Sequence, residues 1–238
     1  MIEIKNLSVS FDNNLILDNV SCNIEKGIIT TVIGKSGIGK SVLMKAVLGL
    51  LKEMNGDILI DNISIHTRNK QERKYIKSKM AMLFQNSALF DSFDIFQNIA
   101  FPLYEQKKMS YIQMKNKVSE MITLVNLPDI LHLYPADLSG GMRKRVALAR
   151  AIIQEPEYII YDEPTTGLDP ITGKEIINLI ESIQEKLQMT SIVITHDKDC
   201  IKQLSNRLIL LDNKTIIYNN DFRKFKDFDN ELAKSFLL

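Results

Sequence analysis

The sequence predicts an α/β protein with a parallel-sheet core. Three observations carry that prediction. Short apolar strands alternate with helical stretches along most of the chain, a glycine-rich loop joins a buried strand to a helix, and one long helical stretch interrupts the alternation.

In chain order, Ile2–Phe11 and Val20–Ile24 read as short strands and Gly27–Ile33 as a buried apolar strand. The segment Gly34–Lys40 is the glycine-rich loop, opening a helix that runs to about Leu51. Gly56 precedes DILIDNISI, a second alternating stretch, followed by the charged run RNKQERKYIKSK and the apolar strand MAMLFQ. From about Phe96 to Ala136 the pattern turns helical: Met114, Val118, Met121, Ile122 and Val125 share a face, and Pro128 and Pro135 punctuate it. This stretch is expected to be an inserted helical subdomain. A glycine turn and helix (Ser139–Ile153) follow, then strand Tyr158–Tyr161, helix Ile171–Gln188, strand Ser191–Thr195, a helix near Lys198–Ser205, and strands Arg207–Leu211 and Thr215–Tyr218. The tail 221–238 carries Phe222, Phe225, Phe228, Leu232 and Phe236 among charges. It either packs on its own domain or clasps a second protomer, and the pattern favours neither.

Composition bounds the function. With 45% of its 238 residues hydrophobic and 25% charged, the chain can bury a substantial core as one domain with an insertion. A net charge of +1 and a pI near 7.7 create no global pull toward nucleic acid, and no nucleic-acid partner is expected. Cys22 and Cys200 stand outside any C-x-x-C or Cys/His ligand spacing, which argues against a disulfide framework or zinc site and favours a reducing, cytosolic setting. The N-terminus alternates like a strand rather than a signal peptide, and no run of ~18 apolar residues occurs, so membrane contact is expected only through a partner. The basic runs RNKQERKYIKSK and QKKMSYIQMKNK read as solvated faces, and His66 and His132 as structural or exposed.

Three motifs carry chemistry. The loop Gly34-Lys35-Ser36-Gly37-Ile38-Gly39-Lys40-Ser41, followed by Val42, matches G-x-x-x-x-G-K-[ST]. Its glycines let consecutive backbone N–H groups turn toward one anion, and the helix that follows adds its positive dipole end. Lys40 supplies a charge to the β/γ-phosphates, and Ser41 can ligate Mg²⁺. A cation ~4 Å from a phosphate oxygen contributes on the order of 4 kcal/mol at an effective dielectric of 20, so Lys40 should dominate triphosphate affinity. The second motif, Tyr158-Ile159-Ile160-Tyr161-Asp162-Glu163, is an apolar strand ending in two carboxylates. Asp162 can hold a Mg²⁺ shell and Glu163 can polarise an attacking water. The third, Leu138-Ser139-Gly140-Gly141-Met142, precedes a helix with an apolar face. Ser139 and the glycines serve as a helix cap or as a second anion site, although one ATP is not easily held by two separate helix N-termini of one domain.

With these motifs in this order, the sequence resembles an ABC ATPase over nearly its whole length. The resemblance implies a P-loop NTPase core (about 1–95 and 137–220) with an N-terminal antiparallel β subdomain, and a helical subdomain inserted at about 96–136. It also implies roles: Phe11 stacks on adenine, Gln85 is the Q-loop glutamine at the Mg²⁺, Glu163 activates water, and Thr166-Gly167-Leu168-Asp169-Pro170 is the D-loop region. His196, in ITHD, is the switch histidine. In that family the signature of one protomer covers the phosphate loop of the other, which accounts for the second anion site and implies a head-to-tail dimer. Met142 replaces the usual signature Gln, Thr166 a frequent Ser, and Phe11 a Tyr. None removes a backbone donor or a charge.

The stretch FQNSALFDSFDIFQNIAFPL, with LSGGMRKRVALARAI and TTGLDPITG, is similar to the MlaF-like ATPases of the Mla and Mce phospholipid-trafficking transporters. That likeness implies an MlaE-like permease, an MlaD-like substrate-binding component, and a place on the cytoplasmic face of the inner membrane held by the permease. An importer of amino acids or other small solutes, and an FtsE-like ATPase that signals without transport, are the alternatives. A soluble translation or repair ABC protein fits least, because there is one phosphate loop and no long heptad coil. The aromatic stretch Ala88–Tyr104 is expected to receive the permease, to pack the helical subdomain, or to divide between both.

Overall fold

A computed structural model describes residues 1–12, 14–104 and 109–237 of the chain. Residues 106–108, the start of the second basic run, lie outside them.

The chain opens with β1 (Ile2–Phe11) and β2 (Asn14–Ile24), then β3 (Ile29–Ile33), α1 (Lys40–Val47), β4 (Asn55–Ile60), β5 (Ile63–Ser64), α2 (Lys70–Lys79) and β6 (Met80–Leu83). Helices α3 (Ile95–Tyr104) and α4 (Tyr111–Leu124) follow, and then α5 (Gly140–Ile152). The remainder is β7 (Tyr158–Asp162), α6 (Pro170–Leu187), β8 (Thr190–Ile194), α7 (Lys198–Leu204), β9 (Arg207–Asp212), β10 (Thr215–Asp221) and α8 (Glu231–Leu237).

Two sheets result. A six-stranded sheet has the order β10-β9-β3-β8-β7-β6, parallel throughout except for the β10 edge. A four-stranded antiparallel sheet, β2-β1-β4-β5, covers one side. The central strands read as unbroken apolar runs because both faces are buried. In β7, Tyr158 and Ile160 join the cluster formed with the antiparallel sheet and α1, while Ile159 and Tyr161 face the cluster of α3 to α6. The period-2 alternation of a strand thus ties both cores through one sheet.

Two boundaries differ from the sequence expectation for physical reasons. Helix α1 stops at Val47 rather than near Leu51, because Gly49 at φ +65° closes a left-handed C-cap, with Gly49 N–H to Ala46 O at 2.8 Å and Leu50 N–H to Lys45 O at 2.9 Å. Strand β2 starts at Asn14, six residues before Val20, since pairing with β1 extends it. Within the charged run at 68–79, Lys70–Lys79 form helix α2 with Ile76 alone buried, a solvated face as expected. The described tail packs on its own chain: Phe225 is fully buried with Ile201, Leu208, Leu210 and Ala233. That burial contributes about 1.5–3 kcal/mol, which matters because a seven-residue α8 does not form alone.

Burial differs along the aromatic stretch. Phe96 packs into the helical core, 5.7 Å from the ring of Tyr111, whereas Phe90 and Phe101 cluster with Phe93 and keep 41% and 37% of their surface exposed. Buried Asn98 shapes that loop: its Oδ1 accepts from Phe90 N–H at 2.8 Å and its Nδ2 donates to Phe90, Phe93 and Asp94 carbonyls.

Candidate functional site

Four loops leave the carboxyl ends of the adjacent parallel strands β3, β8, β7 and β6, the edge at which open α/β sheets bind ligands. They carry, in that order, the glycine loop, His196, the pair Asp162 and Glu163, and Gln85. All open on one cleft of about 530 Å³, within the range of small-molecule sites. Its lining includes Phe11, Gly34, Ser36, Gly37, Gly39, Lys40, Ser41 and Val42, together with Gln85, Asp162, Glu163 and His196.

The glycine loop is sterically obliged. Gly34, at φ +153°, has no room for a side chain: a Cβ would stand 2.6 Å from the Leu211 carbonyl oxygen. Gly39, at φ +110°, is the N-cap of α1 and would collide with Leu17 and Ile16. No side chain caps α1, so its first backbone N–H groups are left to a ligand. Lys40 folds over the loop, its Nζ donating to Gly34 O at 2.8 Å and Lys35 O at 3.0 Å. Burial lowers its pKa, while Glu163 and Asp162 act the other way. Lys35 and Ile38 do not line the cleft; Ile38 packs against the apolar cluster beneath. Phe11 lines the cleft with 46% of its surface exposed, as a stacking platform requires and a core residue does not.

Glu163 sits just past β7 at φ +48°, a left-handed conformation rare outside glycine and worth about 1–3 kcal/mol of strain. Its N–H bonds Ile194 O at 2.9 Å, which holds the strained residue to β8. Its Oε1 lies 2.9 Å from His196 Nδ1, and Thr166 Oγ donates to Oε2 at 3.4 Å. The carboxylate is thus oriented from two sides over the cleft.

Burial first, then the neighbouring Glu163, raises the pKa of Asp162, while Lys144, Lys45 and Lys40 oppose them. A divalent cation would relieve that half-buried carboxylate. Among the described residues no group of three or more His, Cys, Asp or Glu side chains could hold a metal. The donor set here is instead one carboxylate, the Ser41 hydroxyl and the Gln85 amide, which suits Mg²⁺ shared with phosphate oxygens and water.

Ser139, Gly140 and Gly141 do not line this cleft. They start α5, with Ser139 Oγ accepting from Met142 N–H at 3.3 Å and Gly141 packed too tightly on Thr172 to carry a Cβ. His66 and His132 are exposed and lie apart from the cleft.

Three neighbours of the site were missed from sequence. Ile16 and Ile194 supply apolar lining, and Ile16 fell in the part of β2 not read as strand. Lys144 is buried among the apolar residues of α5, four positions before Leu148 and so on the same helix face. A lysine on an apolar stripe was the signal that could have found it.

Comparison with known proteins accords with this geometry. A family model described as ABC transporter matches residues 17–166. The methionine import ATP-binding protein MetN of Carboxydothermus hydrogenoformans is 39% identical over 91% of this chain, which spans 65% of that relative's length. The intermembrane phospholipid transport system ATP-binding protein MlaF of Haemophilus influenzae is 37% identical over 91% of this chain and 82% of its own. Among solved structures, the dimeric bacterial ABC transporter cassette MJ0796 superposes with a TM-score of 0.84 at 29% identity, covering 94% of this chain and 99% of that one.

Proposed function

This chain belongs to the ABC transporter family as an ATP-hydrolysing cassette, and from that premise we propose that two copies form a head-to-tail dimer with two composite ATP sites that drives a membrane permease. The observation that carries this reading is the single cleft that gathers a phosphate loop, two carboxylates and a histidine, while the Ser139–Gly141 helix start stays outside it.

Lys40 and the N–H groups of the loop and α1 bind the phosphates, and Phe11 stacks on the base. Ser41, Gln85 and Asp162 would hold Mg²⁺, which would supply charge neutralisation for the phosphates. Glu163 orients water and draws on its proton as the water oxygen attacks the γ-phosphorus in line. The bond to the β-γ bridging oxygen breaks, giving ADP and phosphate. His196 steadies the Glu163 carboxylate at 2.9 Å. Ser139, Gly140 and Gly141 of the second copy complete the phosphate shell, which parallels the dimeric state of the MJ0796 cassette.

The cargo reading is phospholipid, supported by Met142, by the string Asp169-Pro170-Ile171-Thr172 and by likeness to MlaF. Likeness to MetN at 39% identity supports a methionine importer as the second reading. Among the described residues no helix is long and apolar enough to cross a membrane, so the permease is a separate chain or segment and would hold this one at the cytoplasmic face. Phe90 and Phe101 are the surface offered to it.

Glu163→Gln tests the catalytic assignment. The amide keeps its shape beside His196 but loses basicity, so turnover should fall by about 10²–10⁴-fold while ATP binding persists and a dimer accumulates in gel filtration. Near-normal ATPase, or ATP-loaded monomer alone, refutes it. Mass spectrometry of the complex purified with its permease separates the cargo readings, with bound phospholipid expected.

A further inference from the structure

Helix α5 reaches the Gln85 loop through two cations. Lys144, 4% exposed, donates from Nζ to Gln85 O at 2.6 Å and to Glu163 O at 3.4 Å. Arg150, farther along α5, donates to Ser87 O and Ala88 O, each at 2.9 Å, with its guanidinium 5.6 Å from the Phe90 ring centre. Ser87 and Ala88 both take left-handed backbone, at φ +60° and +48°. The loop therefore leaves β6 with three of its carbonyls, those of Gln85, Ser87 and Ala88, turned to α5 and satisfied by the two cations.

A neutral side chain would satisfy a carbonyl at lower desolvation cost than a buried ammonium. Burial lowers the Lys144 pKa, and the charges of Asp162 and Glu163 act against that shift, which is what a cation at this position gains from its surroundings. The same helix begins at Ser139. The helix that starts at Ser139 and the backbone of Gln85 are therefore joined by one hydrogen bond.

We propose that Lys144 is a positioning residue for Gln85, fixing that residue's backbone to the end of β7 and to α5, so that the helix start offered to one nucleotide and the glutamine that meets the other move as one body. This rests on the dimeric ATPase reading above. Lys144 touches no nucleotide and acts through Gln85 and through the strand end that carries Asp162 and Glu163.

The test uses the full chain and three ATPase titrations: wild type, Lys144→Met and Lys144→Gln. Methionine fills the space without a donor, and glutamine restores one. For Lys144→Met, kcat should fall about 10–100-fold and the Mg²⁺ concentration for half-maximal rate should rise about tenfold, while Mg²⁺-free ATP affinity stays within about threefold. Lys144→Gln should recover most of kcat and of the Mg²⁺ dependence. The proposal is overturned if the folded methionine variant keeps both within about twofold of wild type. It is equally overturned if the loss tracks Mg²⁺-free affinity or melting temperature and glutamine restores nothing. A wild-type chain that fails to hydrolyse ATP would refute the underlying ATPase reading instead.

Discussion

Two helices of this chain begin at glycine-rich turns, and their surroundings differ. The start of α1 has no side-chain cap, its N-cap is a left-handed glycine, and Lys40, Asp162, Glu163 and His196 share its cleft. The start of α5 is capped by Ser139 and is not part of the lining that holds the carboxylates and the histidine. Both can bind an anion, yet only the first has groups that handle a metal or a water. In the proposed dimer the same backbone device serves as a catalytic half-site in one place and as a bare phosphate clamp in the other. That division is what a site assembled from two copies requires.

Removing the Lys40 charge should have the largest effect on the first half. Lys40→Ala deletes an interaction on the order of 4 kcal/mol, so ATP affinity should fall by about 10³-fold in calorimetry or fluorescent-nucleotide titration. Affinity within about threefold of wild type would mean that the loop N–H groups carry the phosphate alone and that the two helix starts differ less than their surroundings suggest.

Ser139→Asp sharpens the contrast from the other side. A carboxylate is as good an N-cap as a hydroxyl and suits the helix dipole, so a merely structural Ser139 would tolerate it. A phosphate clamp would not, because aspartate repels the anion. Turnover should drop at least about tenfold with melting temperature unchanged or raised. The sites of a head-to-tail dimer pair each phosphate loop with the partner's α5, so mixing the Lys40→Ala and Ser139→Asp chains leaves one intact site in each mixed dimer. An equal mixture should then recover about a quarter of wild-type ATPase. No recovery on mixing would contradict the shared-site reading.

Most of the first half was legible in the sequence, because its chemistry is written in contiguous residues. Glycines at fixed spacing, a lysine, and a strand closing on two acids need no tertiary knowledge, and the order of strands and helices implied the parallel sheet. What escaped depends on contacts between distant segments. The extension of β2 to Asn14 is set by pairing with β1, and the end of α1 by the backbone sign at Gly49. The tail could not be placed from its own apolar spacing, since the pocket for Phe225 is made by Ile201, Leu208 and Leu210. Lys144 looked like one more basic residue in RKR until burial put its ammonium against the Gln85 carbonyl.

The smallest effect expected is on stability, and it tests whether the first half-site is held at a cost. Burial, and after it Glu163, raises the pKa of Asp162 in the folded chain above its ordinary value. A carboxyl shifted upward favours folding while protonated, and that contribution is lost as pH climbs past its folded value; at neutral pH the ionised group is therefore a burden on the fold. Asp162→Asn removes the charge and keeps the shape. In the absence of nucleotide and Mg²⁺, its melting temperature at neutral pH should exceed that of wild type by on the order of 2–4 °C, the shift that about 1 kcal/mol produces in a chain of this size. The gap should close as pH falls into the carboxylate range, where Asp162 becomes neutral in wild type as well. Mg²⁺ with ATP should stabilise wild type and not the variant, whose ATPase should be lost. A variant less stable than wild type at neutral pH would show that the Asp162 carboxylate is already compensated by Lys144, Lys45 and Lys40, and that this half of the site is not poised for a cation.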